Sequence, residues 1–502
     1  MADRHAVIDL GSNSFRLVVF TAEQGWWKRT DEIYEAVRIG EGQEVDGPLQ
    51  PEPMQRALAT LELFAHFTKA VGLGPADVDA VATSAIRSAA NREEFLARAR
   101  ERTGLDIRVL SEEEEARYGY LAAVNTTTLS AGAVLDLGGG SLQLVRVKDR
   151  RAKELRSWPL GAVRMTERFL ADGEPASKKT LKALAKHVAD SIADAPWVRR
   201  QDRLVAIGGT VRNLAVAAQH MAGLPTFGVQ GFTITREALD ALVDALAELP
   251  ASERGSVPGI KSGRADVILG GAATIQAVLE AGEFAGIEVT EAGLREGVFF
   301  ERLNAPDGLF DDVRHGSVMN LHNQYDDAGV AHVEHVAQLA LEMYDDLTAA
   351  GLFASDADER ELLWAAAMLH DIGVSVDYDD HHKHSRYLIL NAGLPGWTQR
   401  EIALIAQMAR YHRKGSPGLD DFAALARKGD RELVKRCSAL LRLAEQLERS
   451  RDQLVTAAHV DVSNGTVRLK LEGGGDVSLA RWAAQRETAL FERTFSKQLE
   501  VR

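Results

Sequence analysis

Residues 6–20 read AVIDLGSNSFRLVVF, and residues 133–147 read AVLDLGGGSLQLVRV. Laid over each other without a gap, eight of 15 positions coincide, at an offset of 127 residues. That offset is far longer than the roughly 20–50 residue period of a solenoid. It marks one duplicated, domain-sized unit rather than an array. Each copy has an apolar, β-branched run, an Asp, a Gly/Ser/Asn turn and a second apolar run. The pattern predicts a strand, a tight turn and a returning strand. Glycines and small hydroxyls at such a turn leave backbone N–H groups open to an anion, which suits phosphate. An Asp at the strand end suits Mg2+ or the positioning of a water. Two such hairpins facing each other would hold a phosphoanhydride from both sides.

The 502 residues are enough for roughly three or four domains. One cysteine, Cys437, excludes an intrachain disulfide and fits a reducing cytoplasm. The N-terminus reads straight into a strand with no signal-peptide pattern, and no apolar run approaches the roughly 18 residues of a membrane span. A net charge of −14 argues against general nucleic-acid affinity. The charge is uneven, however. Residues 146–186 hold 12 Lys/Arg against 5 Asp/Glu, and residues 381–451 hold 14 against 7. Such segments could draw a polyanion, or be solvated helix faces.

Residues 1–125 predict a first α/β unit, with the hairpin, helices near 51–71 and 91–103, and short strands at Val78–Thr83 and Ile107–Leu110. Residues 126–305 repeat the logic, with a helix over 177–195, a strand entering a glycine turn at 204–209, and a helix over 265–280. From 306 to 453 the pattern becomes nearly all helical, and nine of the 14 histidines fall within residues 315–412. Residues 454–502 differ again: Asn464–Gly465 between alternating runs predicts a type I′ hairpin. A helix over 480–495 and a closing strand at 499–501 follow.

Within this frame the two loops supply the chemistry-bearing residues. Asp9, Ser12, Asn13 and Ser14 lie in the first; Asp136, Gly138, Gly139, Gly140 and Ser141 lie in the second. Ser111 with four consecutive glutamates, Glu112 to Glu115, predicts a helix start in which Ser111 and Glu114 form a capping box. A carboxylate there that also faced phosphates would have a raised pKa and could take a proton from water near neutral pH. Spacing alone does not choose among the four. Arg87, in the small-residue loop ATSAIR, could bind phosphate oxygens with its fork of donors. His370–Asp371 ends an apolar helix, with His335 before it and His381, His382, His384 and His412 after it, a density that suits a metal or phosphate site.

The segments DLGSNSFRLVVF, ATSAIRSAAN, SEEEEARYGYLA, LDLGGGSLQLV, AIGGT and GLREG, with LHNQY, LHDIG, HKHSRYLIL and RYHRKG in the helical part, resemble the exopolyphosphatase / guanosine pentaphosphate phosphohydrolase (Ppx/GppA) family. The resemblance covers essentially the whole chain. It implies an α/β fold of duplicated actin-like ATPase (ribonuclease H-like) domains, followed by an all-α HD-like domain and a small C-terminal α+β domain. It also implies Mg2+-dependent (or Mn2+-dependent) release of terminal phosphate from inorganic polyphosphate or guanosine pentaphosphate by a cytoplasmic homodimer. No nucleic-acid or membrane partner is expected. By position in the motifs, Glu115 is the implied catalytic carboxylate, Arg87 the phosphate-binding arginine, and Asp136 and Asp9 the metal ligands.

Two departures stand out. The second loop of the family usually reads GGGSTE, whereas here Gln143 occupies the place of the acid, a weaker neutral ligand. In the HD-like part His335, His370 and Asp371 are the implied ligands of a second divalent metal. The final Asp expected there falls near LAEQLERS, where the chain offers Glu445 and Glu448. A phosphotransferase of the same superfamily and a non-catalytic sensor are the remaining alternatives.

Overall fold

The computed structural model describes residues 3–44, 47–304, 306–325, 329–463 and 465–502. They fall into two compact units, Met1–Val313 and Arg314–Arg502. The boundaries read near residues 125 and 453 lie inside these units rather than between them.

In the first unit, β1 (Asp3–Leu10) is buried on both faces. Ala6, Ile8 and Leu10 enter one core, and Val7 enters another. This is why its sequence reads as an apolar run rather than an alternation. It pairs antiparallel with β2 (Phe15–Glu23), which pairs with β3 (Trp26–Glu35); β4 (Val78–Ala82) joins β1 in parallel and β5 (Ile107–Val109) joins β4. The sheet order is β3-β2-β1-β4-β5.

The second half repeats this. β6 (Ala131–Leu137), β7 (Leu142–Lys148) and β8 (Arg151–Trp158) form the antiparallel meander. β9 (Leu204–Ile207) then joins β6 in parallel, and β11 (Gly286–Val289) joins β9; β10 (Phe232–Thr235) closes the edge antiparallel to β11. Read from the meander, β8-β7-β6-β9-β11 has the same order and sense as the first sheet. This is the duplicated actin-like, ribonuclease H-like architecture. The third strand of each meander escaped the sequence reading because β3 and β8 are edge strands rich in charge, WWKRTDEIYE and RAKELRSW.

The two halves share a core. Val7, Val18 and Phe20 of the first sheet and Val134, Val145 and Val205 of the second meet Ala116, Leu121, Val298 and Phe299 from the helices Glu112–Val124 and Leu294–Leu303. Phe20 and Phe299 stack with ring centroids 4.3 Å apart. This common core fixes the two hairpin turns relative to each other.

The second unit is built on the helices Val330–Ala349, Ala357–Leu369, His381–Ala392, Gln399–Tyr411 and Asp430–Leu447. A small sheet closes it. β12 (Val455–Ser463) pairs antiparallel with β13 (Thr466–Gly473), and β14 (Gln498–Val501) lies parallel to β13. Gly465 has a φ of 82°, as a type I′ turn needs; Asn464 lies outside the described residues. The sheet belongs to the helical body, since the Ala458 and Val460 N–H groups donate to Glu342 and Asp346. The single helix expected over 480–495 is two, Ser478–Gln485 and Thr488–Phe495. Tightened bonds from Arg486 and Glu487 N–H to the carbonyls three residues back close the first of them. Among the described residues no helix is long and apolar enough to cross a membrane.

Candidate active site

The two turns are built alike. Gly11 N–H donates to the Ser14 carbonyl at 3.2 Å, and Gly138 N–H donates to the Ser141 carbonyl at 3.0 Å. Other loop carbonyls are engaged by neighbouring backbone: Ser12 and Asn13 accept from Gly40 and Arg38, and Gly138 and Gly139 accept from Ala162 and Val163. The turns face each other so closely that a Cβ on Gly139 would lie 3.4 Å from the Ser12 side chain. Ser12 Oγ also meets Ser84 Oγ at 2.9 Å.

Between the turns lies a cavity of about 140 Å3, lined by Ser12, Asn13, Ser14, Gly138, Gly139 and Ser141 from the loops. Gly140 lines the adjoining cavity instead. Register sets the two strand-end acids identically: Asp9 lies opposite Arg16 on β2, and Asp136 lies opposite Gln143 on β7.

Three carboxylates line the cavity: Asp9, Glu115 and Asp136. The structure separates the four glutamates that sequence could not. Glu114 is spent on the capping box with Ser111 and on Arg108, and Glu112 and Glu113 are exposed. Glu115, one residue further round, is buried and accepts a 2.7 Å bond from Arg87. Arg87 ends the one-turn helix Ser84–Arg87 after β4 and also donates to the Leu110 carbonyl at 3.0 Å. It lies behind Glu115 and is not among the cavity-lining residues.

Burial raises the pKa of Glu115 against the pull of Arg87, and the repulsion from Asp9 and Glu112 ranks below both. Burial, with Glu115 and Asp9 adding to it, pushes Asp136 up to about 7. Burial also raises Asp9, although Arg295 at 3.1 Å offsets it. Asp9 and Asp136, the strand-end acids of the two facing turns, are a donor pair suited to a divalent cation.

Gln143 donates from Nε2 to Ser141 Oγ at 2.8 Å, while its buried Oε1 has no partner among the described residues. It therefore stands beside Asp136 with a free carbonyl oxygen. On the other side of Asp136, a Cβ on Gly119 would come within 3.2 Å of Oδ2. Glycine is what lets the helix Glu112–Val124 lie against the acid.

Sequence reasoning reached Arg16, a donor-rich side chain of the first turn, but missed the other cations of this cavity. Arg16, Arg212, Arg264 and Arg295 all line it. Arg16 pairs with Glu32 at 2.9 Å and Arg295 with Asp9. Arg212 is pushed down to about 10 by burial and by Arg295, with Arg16 and Arg264 adding to it. Four guanidiniums converging this way are costly unless an anion joins them. The signal was present: Arg295 lies inside GLREG, and Arg212 lies two residues beyond AIGGT.

The first basic segment contributes Arg164 and Arg168 to an adjoining cavity of about 590 Å3, which shares Ser12, Asn13, Ser84 and Gly139 with the first. Much of the second basic segment is used internally. Arg400 pairs with Asp430, Arg436 with Glu359, and Lys383 and Lys414 with Asp380.

In the second unit, His370 and Asp371 come together, but His335 does not join them. Its Nε2–H donates to the Val455 carbonyl at 2.8 Å, and it lies 3.6 Å from Glu448. His332 takes the place expected of His335, with Nε2 3.3 Å from Glu445 and 3.8 Å from Asp371. The two histidines are three apart on one helix, so spacing could not choose between them. The start of β12, packing against that helix, takes His335 away.

A family model described as the Ppx/GppA phosphatase family matches residues 18–305, and one for domain III of the Ppx/GppA phosphatases matches residues 313–483. A solved Ppx/GppA family member from Aquifex aeolicus is 29% identical over 60% of this chain and 98% of its own, with a TM-score of 0.53. An exopolyphosphatase-like protein is 27% identical over 59% of this chain and 96% of its own, with a TM-score of 0.54. An exopolyphosphatase from Cytophaga hutchinsonii, at 23% identity over 61% and 99% of the two chains and a TM-score of 0.54, shares the fold. The chain belongs to the Ppx/GppA phosphatase family.

Proposed function

We propose that this phosphatase is an exopolyphosphatase that releases terminal orthophosphate from inorganic polyphosphate by hydrolysis. The observation that carries the reading is the convergence of Arg16, Arg212, Arg264 and Arg295 on a cavity that also holds the buried Glu115. Such a site has both the charge to hold phosphate oxygens and a base to act beside them. Phosphoryl transfer depends mostly on positioning and electrostatic stabilisation. In this reading the terminal phosphate lies between the Ser12–Ser14 and Gly138–Ser141 turns. Glu115 orients the attacking water and takes its proton, and the next phosphate departs as the P–O–P bond breaks. Arg87 holds Glu115 in place and keeps it from becoming too basic. Mg2+ or Mn2+, held by Asp136 with Asp9 and the Gln143 carbonyl oxygen, would neutralise charge on the phosphate oxygens. Arg164 and Arg168 in the adjoining cavity offer the remaining chain guanidinium donors, among Glu41, Glu44, Glu167 and Asp266.

Guanosine pentaphosphate is the second reading, and one observation favours it. The adjoining cavity also carries an apolar wall, Ala85, Pro159, Val163 and Met165, with Glu41 and Glu44 at hand, which suits a nucleoside. Phosphate release from long-chain polyphosphate and from guanosine pentaphosphate, measured side by side for the wild type and Glu115→Gln, separates the two. Faster kcat/KM on the pentaphosphate would overturn the first reading. Conversion of added ADP to ATP with polyphosphate as donor would replace both with a phosphotransferase. Tight binding without turnover at saturating Mg2+ would point to a sensor. A homodimer is proposed as the working form.

A further inference from the structure

The groups gathered around Asp371 are more than one cation needs. His332, His370 and Asp371 form one buried triad of ligand atoms, and Asp371, His381 and His412 form a second; Asp371 belongs to both. Glu445 adds a carboxylate to the first, its Oε2 lying 3.3 Å from both His332 Nε2 and His370 Nε2. In the second, Asp371 Oδ1 lies 3.3 Å from His381 Nε2 and 3.6 Å from His412 Nε2.

Ring orientation is fixed by one device used three times. His370, His381 and His412 each donate from Nδ1–H to the carbonyl three residues back, at Ala367, Tyr378 and Ala409, over 2.6, 2.9 and 2.7 Å. A carbonyl only accepts, so Nδ1 carries a proton in each ring; in His381 and His412 this leaves Nε2 its lone pair, while His370 Nε2–H donates to Glu445 Oε2 at 3.3 Å, a proton that a metal ion would replace. That is the arrangement by which a protein orients imidazoles for a metal. It also leaves an electrostatic problem: His381 Nε2 and His412 Nε2 face each other 3.0 Å apart. No hydrogen bond reaches the buried Asp371 Oδ1 among the described residues, although three Nε2 atoms surround it. Arg451 pairs with Asp371 Oδ2 at 2.8 Å, so it is Oδ1 and the lone pairs facing it that call for a further cation between them.

We propose that the second unit holds a pair of divalent transition-metal ions bridged by Asp371, one on His332, His370 and Glu445 and the other on His381 and His412. Bonds of about 2.0–2.2 Å, as N and O donors make to such ions, place neighbouring ligand atoms roughly 3.0–3.6 Å apart. The separations from Glu445 to His332 and His370, and those among Asp371, His381 and His412, match this, while Asp371 stands slightly wider from His370 and His332, at 3.7 and 3.8 Å. Four imidazoles favour Mn2+, Fe2+, Co2+ or Zn2+ over Mg2+. The centre is thus distinct in chemistry from the oxygen-only set at Asp9, Asp136 and Gln143.

The test counts ions on the full chain, stripped with a chelator and reloaded with Co2+ in excess Mg2+, which keeps the oxygen-lined site on the harder ion. Mass spectrometry of the metal content should find two Co2+ per chain, with the visible absorption of nitrogen-ligated cobalt and a raised melting temperature. Asp371→Asn should lose both ions, His412→Gln should keep one, and Asp136→Asn should keep two. Far-UV circular dichroism checks folding; if Asp371→Asn does not fold, the step from two to one in His412→Gln carries the test. One ion or none in the wild type, or two that survive His412→Gln, would overturn the proposal.

Discussion

Arg87 and Glu115, 28 residues apart, meet through a 2.7 Å charge-assisted bond beside the cavity. Burial drives the Glu115 pKa up while the guanidinium holds it down, with burial the larger influence. A carboxylate in that balance can be ionised at neutral pH and still basic enough to take a proton from water. The Leu110 carbonyl holds the same Arg87 nitrogen from the other side, so the arginine is anchored to backbone as well as to the acid.

Glu115→Gln keeps the shape and removes the base. We expect phosphate release to fall by about 10²–10⁴-fold, the usual range for a positioned general base. KM should change little, because Glu115 holds no phosphate oxygen in the proposed reading. A melting temperature equal to or above that of the wild type would show that the fold is intact. Near-normal turnover in this variant would remove Glu115 from the mechanism.

Arg87→Ala tests the balance rather than the base. Removing the nearby positive charge lets burial act alone, so the Glu115 pKa rises further. A general base works when deprotonated, so the acidic limb of the kcat profile should move to higher pH. Arg87→Lys keeps a charge but not the fork, and its limb should lie between the two. A pH-rate series for the three proteins measures this, and a limb that stays in place in Arg87→Ala would assign it to another group.

How far the sequence reached is best seen at particular residues. The duplication, the order of most strands and the Ser111–Glu114 cap could be read, because apolar runs, turns and caps are local. The edge strands β3 and β8 could not, since their charge masks a pattern that only pairing completes. Glu115 was distinguished from its neighbours by resemblance alone; the physical difference is one step of helix rotation, which decides burial. Arg212 and Arg295 lie far apart in sequence and converge only when the helices of the second half pack. His332 displaced His335 because a strand more than 100 residues away occupies the second of two equivalent helix positions.

Asp136 gives a stability signature. Its pKa in the folded protein is pushed up to about 7, against about 3.9 in an unfolded chain. The folded state therefore binds the proton more tightly. Its favourable contribution is complete below about pH 4 and is lost as pH rises through about 7. Asp136→Asn stays neutral throughout, so its melting temperature should overtake that of the wild type progressively between about pH 4.5 and 7.5 and then hold a constant lead. Excess Mg2+ at pH 7.5 should narrow the gap by stabilising the wild type alone. A gap independent of pH would show that Asp136 is ionised throughout.

Gln143 is where the two copies of the repeat part company, with Arg16 at the aligned position of the first. It stands opposite Asp136 in the strand register, with Oε1 buried and without a partner among the described residues. Gln143→Glu places a carboxylate there. Without a divalent ion this adds a second buried acid beside Asp136, so the melting temperature should fall, and more at pH 8 than at pH 5, because the cost is that of the ionised pair. With Mg2+ the same charge becomes a ligand, so the metal concentration for half-maximal phosphate release should drop by about tenfold, as it does when ligand charge is added to a hard-cation site. A Mg2+ titration of activity, paired with melting curves at both pH values, measures both effects. A lower melting temperature with an unchanged Mg2+ requirement would mean that position 143 faces Ser141 alone and that the metal is held without it.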